Sequence, residues 1–266
     1  FFTKDMNEKA HQRLILENEL KKACGANELV NYYQPIVNQR QKKTIGFELL
    51  LRWQHQGKMV SPGDFIPIAE ETGLISQMTV NAIDQALTDY CSWEDKFPGS
   101  YISVNLSPVH ILQEGLSQSL NMLLDKHQLT ASTLRLEITE GTLLADLDIA
   151  LVRLAELQSQ GFRLLLDDFG TGYSSLTYLS KFPVNVLKID KSFILNLETN
   201  PMNKPIIKSI ISLAENLNLS CIAEGVETEK QLKYLQSLGC ETIQGFYFAK
   251  PMPAKEIEIW ASNYSH

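Results

Sequence analysis

From residue 29 almost to the C-terminus, short runs rich in β-branched and aromatic residues alternate with amphipathic helical stretches. Such a pattern builds a mostly parallel sheet, because a return through a helix sets the next strand running the same way. The spacing predicts eight strands, over 29–37, 43–51, 101–106, 133–138, 163–167, 186–189, 219–223 and 242–244. The first two are separated only by the polar stretch 38–42 and therefore read as a hairpin. Later gaps hold helices with legible ends: Ser61 before Pro62 as cap and first turn, a Leu147, Leu151, Leu154 stripe stopping at Gly161, and a Thr228/Gln231 capping box. Eight strands with six crossover helices make an α/β chain, a modified TIM-like (β/α)8 barrel, and 266 residues suit a fold that typically takes about 250. The competing arrangement is an open doubly wound sheet, but no strand here is followed by a G-x-G-x-x-G turn. Upstream, Met6, Ala10, Leu14, Ile15 and Leu20 predict a helix over 5–24 that stops at Gly25. The chain thus divides into an N-terminal connecting helix, 1–27, and a barrel domain, 28–266, and its start at Phe1 suggests a piece of something longer.

Charge narrows the partners. With 31 acidic against 24 basic residues the formal net charge is −7, which argues against a nucleic-acid polymer or an anionic membrane as partner. An anionic ligand would need local positive charge. There is no signal segment and no run of about 18 apolar residues. The four cysteines, Cys24, Cys91, Cys221 and Cys240, form no C-x-x-C pair and fit free thiols in a reducing compartment. A cytoplasmic domain is expected, whether or not the full-length protein is membrane-anchored.

The strand ends carry the chemistry. From the second strand on, the apolar runs terminate in Glu48, Asn105, Glu137, Asp167 with Asp168, Lys188 with Asp190, Glu224 and Gln244. In a parallel barrel these ends converge on one mouth, where catalytic groups sit. So many carboxylates in one mouth repel unless cations neutralise them. No histidine is expected at a strand end, so an all-oxygen set of Asp, Glu and Asn points to Mg²⁺ or Mn²⁺, with Ca²⁺ also compatible, and away from Zn²⁺. Two such ions could activate water and stabilise both oxygens of an in-line phosphoryl displacement. Lys188 fits either a group that holds the attacking water or a structural ion pair with these acids. The acid ring alone would also suit a barrel enzyme that stabilises an enolate with Mg²⁺ and uses Lys188 as base.

The segments YYQPIV (32–37), GFELLLRW (46–53), SPGDFIPIAEETGLI (61–75), VNLSP (104–108), LRLEITE (134–140), LLLDDFGTGYSSL (164–176), LKIDKSFI (187–194), IAEGVE (222–227) and QGFYFAKPMP (244–253) decide among these readings. In that order, across about residues 28 to 255, they resemble the EAL-domain cyclic-di-GMP phosphodiesterases. The resemblance implies a TIM-like barrel with an antiparallel first strand and hydrolysis of cyclic-di-GMP to linear 5′-pGpG, a step in bacterial second-messenger signalling and biofilm control. It also implies two Mg²⁺ or Mn²⁺ ions, with Ca²⁺ inhibitory. Carried over by position, Glu48, Asn105, Glu137 and Asp167 hold one ion, and Asp167 with Asp168 the second. Lys188 contacts the nucleophilic water, and Glu224 and Gln244 complete the metal-water network. Gln34, Arg52, Asp190 and Glu227 match polar positions around the ligand, and Glu140 a group that positions the loop after Asp168. The N-terminal stretch resembles the helix joining a GGDEF cyclase domain to an EAL domain. The expected partners are therefore cyclic-di-GMP, a second copy in a homodimer, and an upstream sensor or GGDEF domain. No GGDEF motif lies in this chain.

Two positions depart from the family pattern. Leu49 replaces the middle alanine of the signature tripeptide, adding bulk without removing a ligand. Gly141 follows Glu140 where active members often carry serine, which predicts a looser loop and slower turnover. Both departures also suit the alternative, a catalytically weak or inactive EAL domain acting as a cyclic-di-GMP receptor. Such receptors typically lack part of the metal set, which is intact here.

Overall fold

The computed structural model describes residues 2–139, 141, 146–171, 179 and 181–263, the side chains of 2–10, 12 and 263 excepted. Eight of its strands close a barrel: β1 (Leu29–Asn38), β2 (Lys43–His55), β4 (Tyr101–Asn105), β5 (Leu134–Thr139), β6 (Arg163–Phe169), β7 (Val186–Ile189), β8 (Ser220–Ala223) and β9 (Thr242–Gln244). From β2 through β9 each pairs with the next in parallel, while β1 lies antiparallel between β2 and β9 and closes the ring. All eight expected strands are present, and the hairpin of the first two holds Tyr33 against Leu49 and Gln34 against Glu48.

Two short strands flank the barrel. β3 (Lys58–Val60) extends β2, and β10 (Met252–Pro253) pairs with β1. The β3 pairing corrects two expectations. The second strand does not stop at Leu51, and a histidine, His55, does sit at a strand end. The cause is a two-residue turn with positive φ at Gln56 (48°) and Gly57 (75°), the geometry that folds a tight hairpin. His55 Nδ1 contacts Oε2 of Glu28, the residue before β1, at 2.8 Å, so it does not join the Asp and Glu cluster of the mouth.

Side chains two apart on a strand share a face. Ile36, Tyr101, Leu165, Val186 and Ile222 meet inside the barrel as an apolar floor. Two residues along from them on the same faces stand Gln34, Ser103, Asp167, Lys188 and Glu224. The floor needs Gly46: an added Cβ there would lie 2.5 Å from the Tyr101 ring, which the Arg135 guanidinium covers from 3.4 Å. The alternate residues, among them Phe47, Leu49, Val104, Leu136, Leu166, Leu187 and Ile243, point outward into the main core beneath the helices. Each fully buried side chain of this size contributes about 1.5–3 kcal/mol relative to exposure.

The N-terminal helix, Phe2–Ala23, starts and ends within a few residues of its expected bounds. Leu20 and Ala23 are buried against Trp53, Phe65 and Met78, so the end of this helix packs on the helix Pro62–Glu71 side of the barrel. No described helix is long and apolar enough to cross a membrane.

Candidate active site

Alternation along the strands brings the expected residues to the C-terminal mouth. Lys188 is fully buried at its centre. Its Nζ pairs with Glu137 and lies 2.5 Å from Glu224, 3.2 Å from Asp167 and 3.9 Å from Glu48. The structural ion-pair reading of this lysine therefore describes its surroundings. Burial alone would pull its ammonium down, but Glu137, Glu224, Glu48 and Asp167 hold it well above the usual lysine range.

Burial pushes the carboxyls the other way. Glu137 is driven well above the carboxylate range, held back only in part by Lys188, and burial raises Glu224 to about 8 against the same restraint. Glu48, Glu137 and Asp167 offer oxygens that all lie within 4.8 Å of one another. Glu137 Oε1 is buried and, among the described residues, has no hydrogen-bond partner. An orphaned carboxylate oxygen in an all-oxygen cluster fits a hard divalent cation.

Glu48 is pinned at both oxygens. Asn105 Nδ2 donates to Oε1 at 2.9 Å, and Gln244 Nε2 donates to Oε2 at 2.5 Å. Gln244 Nε2 also reaches Gln34 Oε1 at 3.1 Å, while Gln34 Nε2 donates to the Ala249 carbonyl at 3.0 Å. Gln34 thus orients the partners of Glu48. Leu49 faces the opposite way, into the outer core, so its substitution for alanine leaves the carboxylates untouched.

A break in the β6–β7 register between Leu166 and Phe169 explains how two consecutive aspartates reach one mouth. Regular strand geometry would send Asp168 to the opposite face from Asp167. Instead Asp168 adopts φ 54°, and its N–H donates to Asp167 Oδ1 at 2.9 Å. Burial, then the charges of Asp167 and Asp190, raise the Asp168 carboxyl to about 6. Asp190 accepts the Ser192 N–H at 3.0 Å as the cap of a short helix.

These groups open into a cleft of about 480 Å³, also lined by Arg52, Glu227, Lys191 and Phe246. The Arg52 guanidinium is half-buried and donates to the Leu51 carbonyl at 3.0 Å. Leu50 and Arg52 lead on to an apolar slot of about 320 Å³ between β2, β4 and the helices Pro62–Glu71 and Leu74–Trp93. Lys191 and Phe246 escaped sequence reading because neither ends an apolar run; the available signal was their position one or two residues beyond Asp190 and Gln244. Glu140, Tyr173, Ser174 and Ser175 lie outside the described residues. Among the described residues, a Cβ added at Gly141 would meet Thr139 Oγ1 at 3.9 Å, an ordinary van der Waals contact.

The EAL domain family model matches residues 17–251. This chain belongs to the EAL domain family. Its similarity to the bifunctional diguanylate cyclase/cyclic di-GMP phosphodiesterase MucR of Pseudomonas aeruginosa is 42% identity over 97% of this chain and 38% of that protein. The cyclic di-GMP phosphodiesterase PdeR of Escherichia coli is 34% identical over 99% of this chain and 40% of its own length. The chain thus spans about two-fifths of these curated relatives. Among solved structures, the PaMucR phosphodiesterase in complex with c-di-GMP matches with TM-score 0.86 at 42% identity, over 91% of this chain and 99% of that one. The EAL enzyme Bd1971 in its cAMP- and cyclic-di-GMP-bound form matches with TM-score 0.89 at 33% identity, over 96% and 71%. The EAL barrel, with its antiparallel first strand, is therefore the fold of this chain.

Proposed function

We propose that this EAL domain hydrolyses one phosphodiester of cyclic-di-GMP to give linear 5′-pGpG. The observation that carries the proposal is the intact, desolvated carboxylate set around Lys188, in a chain that matches the c-di-GMP-bound PaMucR phosphodiesterase over nearly all of the latter. Glu48, Asn105, Glu137, Asp167, Asp168 and Glu224 would hold two Mg²⁺ or Mn²⁺ ions, and the donor chemistry of the site fits them. Bound there, such ions lower the pKa of water and neutralise charge on the phosphoryl oxygens.

The protein's own groups do the rest. Asn105 and Gln244 fix the Glu48 carboxylate, so its oxygens need not reorganise during the reaction. The apolar floor keeps bulk water away from below. Lys188 remains protonated and can orient a water or steady charge on a phosphoryl oxygen. Water oxygen adds to phosphorus, the P–O3′ bond breaks, and the 3′ oxygen leaves with a proton, so that the phosphate stays on the 5′ side. Arg52 supplies positive charge between the carboxylate cluster and the apolar slot, which is large enough for a purine.

Residues 28–266 would form the catalytic unit, joined through the N-terminal helix to an upstream sensor or cyclase domain and paired with a second copy. Incubation with cyclic-di-GMP and Mn²⁺ should yield linear product, and Glu48→Ala should reduce turnover by at least about 100-fold. Ligand binding without product from the unsubstituted protein would instead establish a receptor.

A further inference from the structure

The cleft has an unusual charge distribution for a site that takes an anionic ring. Its lining carries five carboxylates, Glu48, Asp167, Asp168, Glu224 and Glu227, against two cations, Arg52 and Lys191. The third nearby cation, Lys188, is enclosed by Glu48, Glu137, Asp167 and Glu224. Lys191 is exposed, and among the described residues its ammonium has no ion-pair or hydrogen-bond partner.

The fold sets Arg52 and Lys191 apart. Around the closed ring the strands run β1, β2, β4, β5, β6, β7, β8, β9. Arg52 rises from β2 and Lys191 follows β7, four strands away in either direction, so they flank the carboxylate cluster from opposite sides. The stem of Lys191 is also held. Gly225, at φ 69°, brings the loop after Glu224 so close that an added Cβ would lie 2.5 Å from the Lys191 Cβ and 3.1 Å from its Cα. Only a residue without a side chain lets the lysine lie along that wall.

A cyclic dinucleotide carries two phosphodiesters, and only one can react at the carboxylate cluster at a time. The other needs a cation beyond that cluster. Building on the phosphodiesterase reading, we propose that Lys191 binds the non-reacting phosphodiester of a cyclic dinucleotide. Its ammonium is a flexible point charge suited to a phosphate whose position shifts as the ring opens. This contact distinguishes a two-phosphate ring from a substrate with one phosphate.

The test compares two substrates on the full chain with Mn²⁺: cyclic-di-GMP, and bis(p-nitrophenyl) phosphate, which has a single phosphodiester. Lys191→Gln should raise KM for cyclic-di-GMP about tenfold, roughly the worth of one charge-assisted hydrogen bond, and leave kcat within about twofold. Turnover of bis(p-nitrophenyl) phosphate should be unchanged. Lys191→Arg should restore most of the affinity, and the gap between Lys191→Gln and the unsubstituted protein should narrow as salt rises. An unchanged KM for cyclic-di-GMP overturns the assignment, as does an equal loss on both substrates. Failure of the unsubstituted protein to cleave cyclic-di-GMP would instead overturn the phosphodiesterase reading itself.

Discussion

Replacing Lys188 by methionine tests the electrostatic core of the site. The side chains are close in volume, so packing is largely kept and the main change is the charge. The ammonium lies 2.5 Å from Glu224, 3.2 Å from Asp167 and 3.9 Å from Glu48, and pairs with Glu137. At an effective dielectric of about 20, each ionised carboxylate at 3–4 Å contributes roughly 4–5 kcal/mol of attraction. Desolvation and partial protonation of the acids offset much of this, and breaking a buried ion pair costs about 3–5 kcal/mol net. For a domain of this size that lowers Tm by roughly 6–20 °C.

The pH dependence follows from the carboxyls. Burial raises Glu224 to about 8 and Glu137 well above its ordinary range even with Lys188 present, and both rise further without it. A carboxyl whose folded pKa exceeds its unfolded value destabilises the fold increasingly as pH climbs between the two. The Lys188→Met penalty should therefore be larger at pH 8.5 than at pH 5.5. Metal should repair it in part, since a cation at 100 times its Kd adds about 2.7 kcal/mol to stability. Differential scanning calorimetry without metal, at both pH values, then with added Mn²⁺, reads all three effects. A metal-free Tm within about 2 °C of the unsubstituted protein at pH 8.5 would refute the reasoning, because the cluster would not need its ammonium.

Three further outcomes are expected. Divalent-ion binding near pH 7 should release protons, since Asp168 at about 6 and Glu224 at about 8 must ionise to ligate; apparent affinity then weakens as pH is lowered, and calorimetry in buffers of different ionisation enthalpy should give different observed heats. Tyr101→Phe should leave Tm unchanged or slightly raised, because the buried hydroxyl it removes has no hydrogen-bond partner among the described residues, and a drop of several degrees would contradict this. Gly225→Ala should cost about 1–3 kcal/mol in urea denaturation, from positive φ and the close Lys191 contact, and should raise KM for cyclic-di-GMP.

Much of the site was legible because a parallel barrel turns sequence position into spatial position. Glu48, Asn105, Glu137, Asp167, Lys188 and Glu224 end apolar runs, and strand alternation with parallel register carries all of them to one mouth. Asp168 was harder. Its arrival depends on a register break and a positive φ, which alternation alone does not foresee. Arg52 to His55 read as lying beyond the second strand, yet the strand runs on to His55 and a two-residue turn carries the pairing onward to β3.

The sequence by itself determined the barrel, the strand directions and the chemical kind of the site, because periodicity and residue type are local properties. Only the tertiary structure decided the ionisation of that site. Whether Glu137 and Glu224 hold a proton, and whether Lys188 is free or enclosed, depends on burial above the apolar floor and on charges from four strands and from the residue after a fifth. The same is true of Lys191, whose place opposite Arg52 follows from ring closure and from the close approach at Gly225. Electrostatic energy depends on distance and solvent exclusion, and neither is a property of neighbouring letters in a chain.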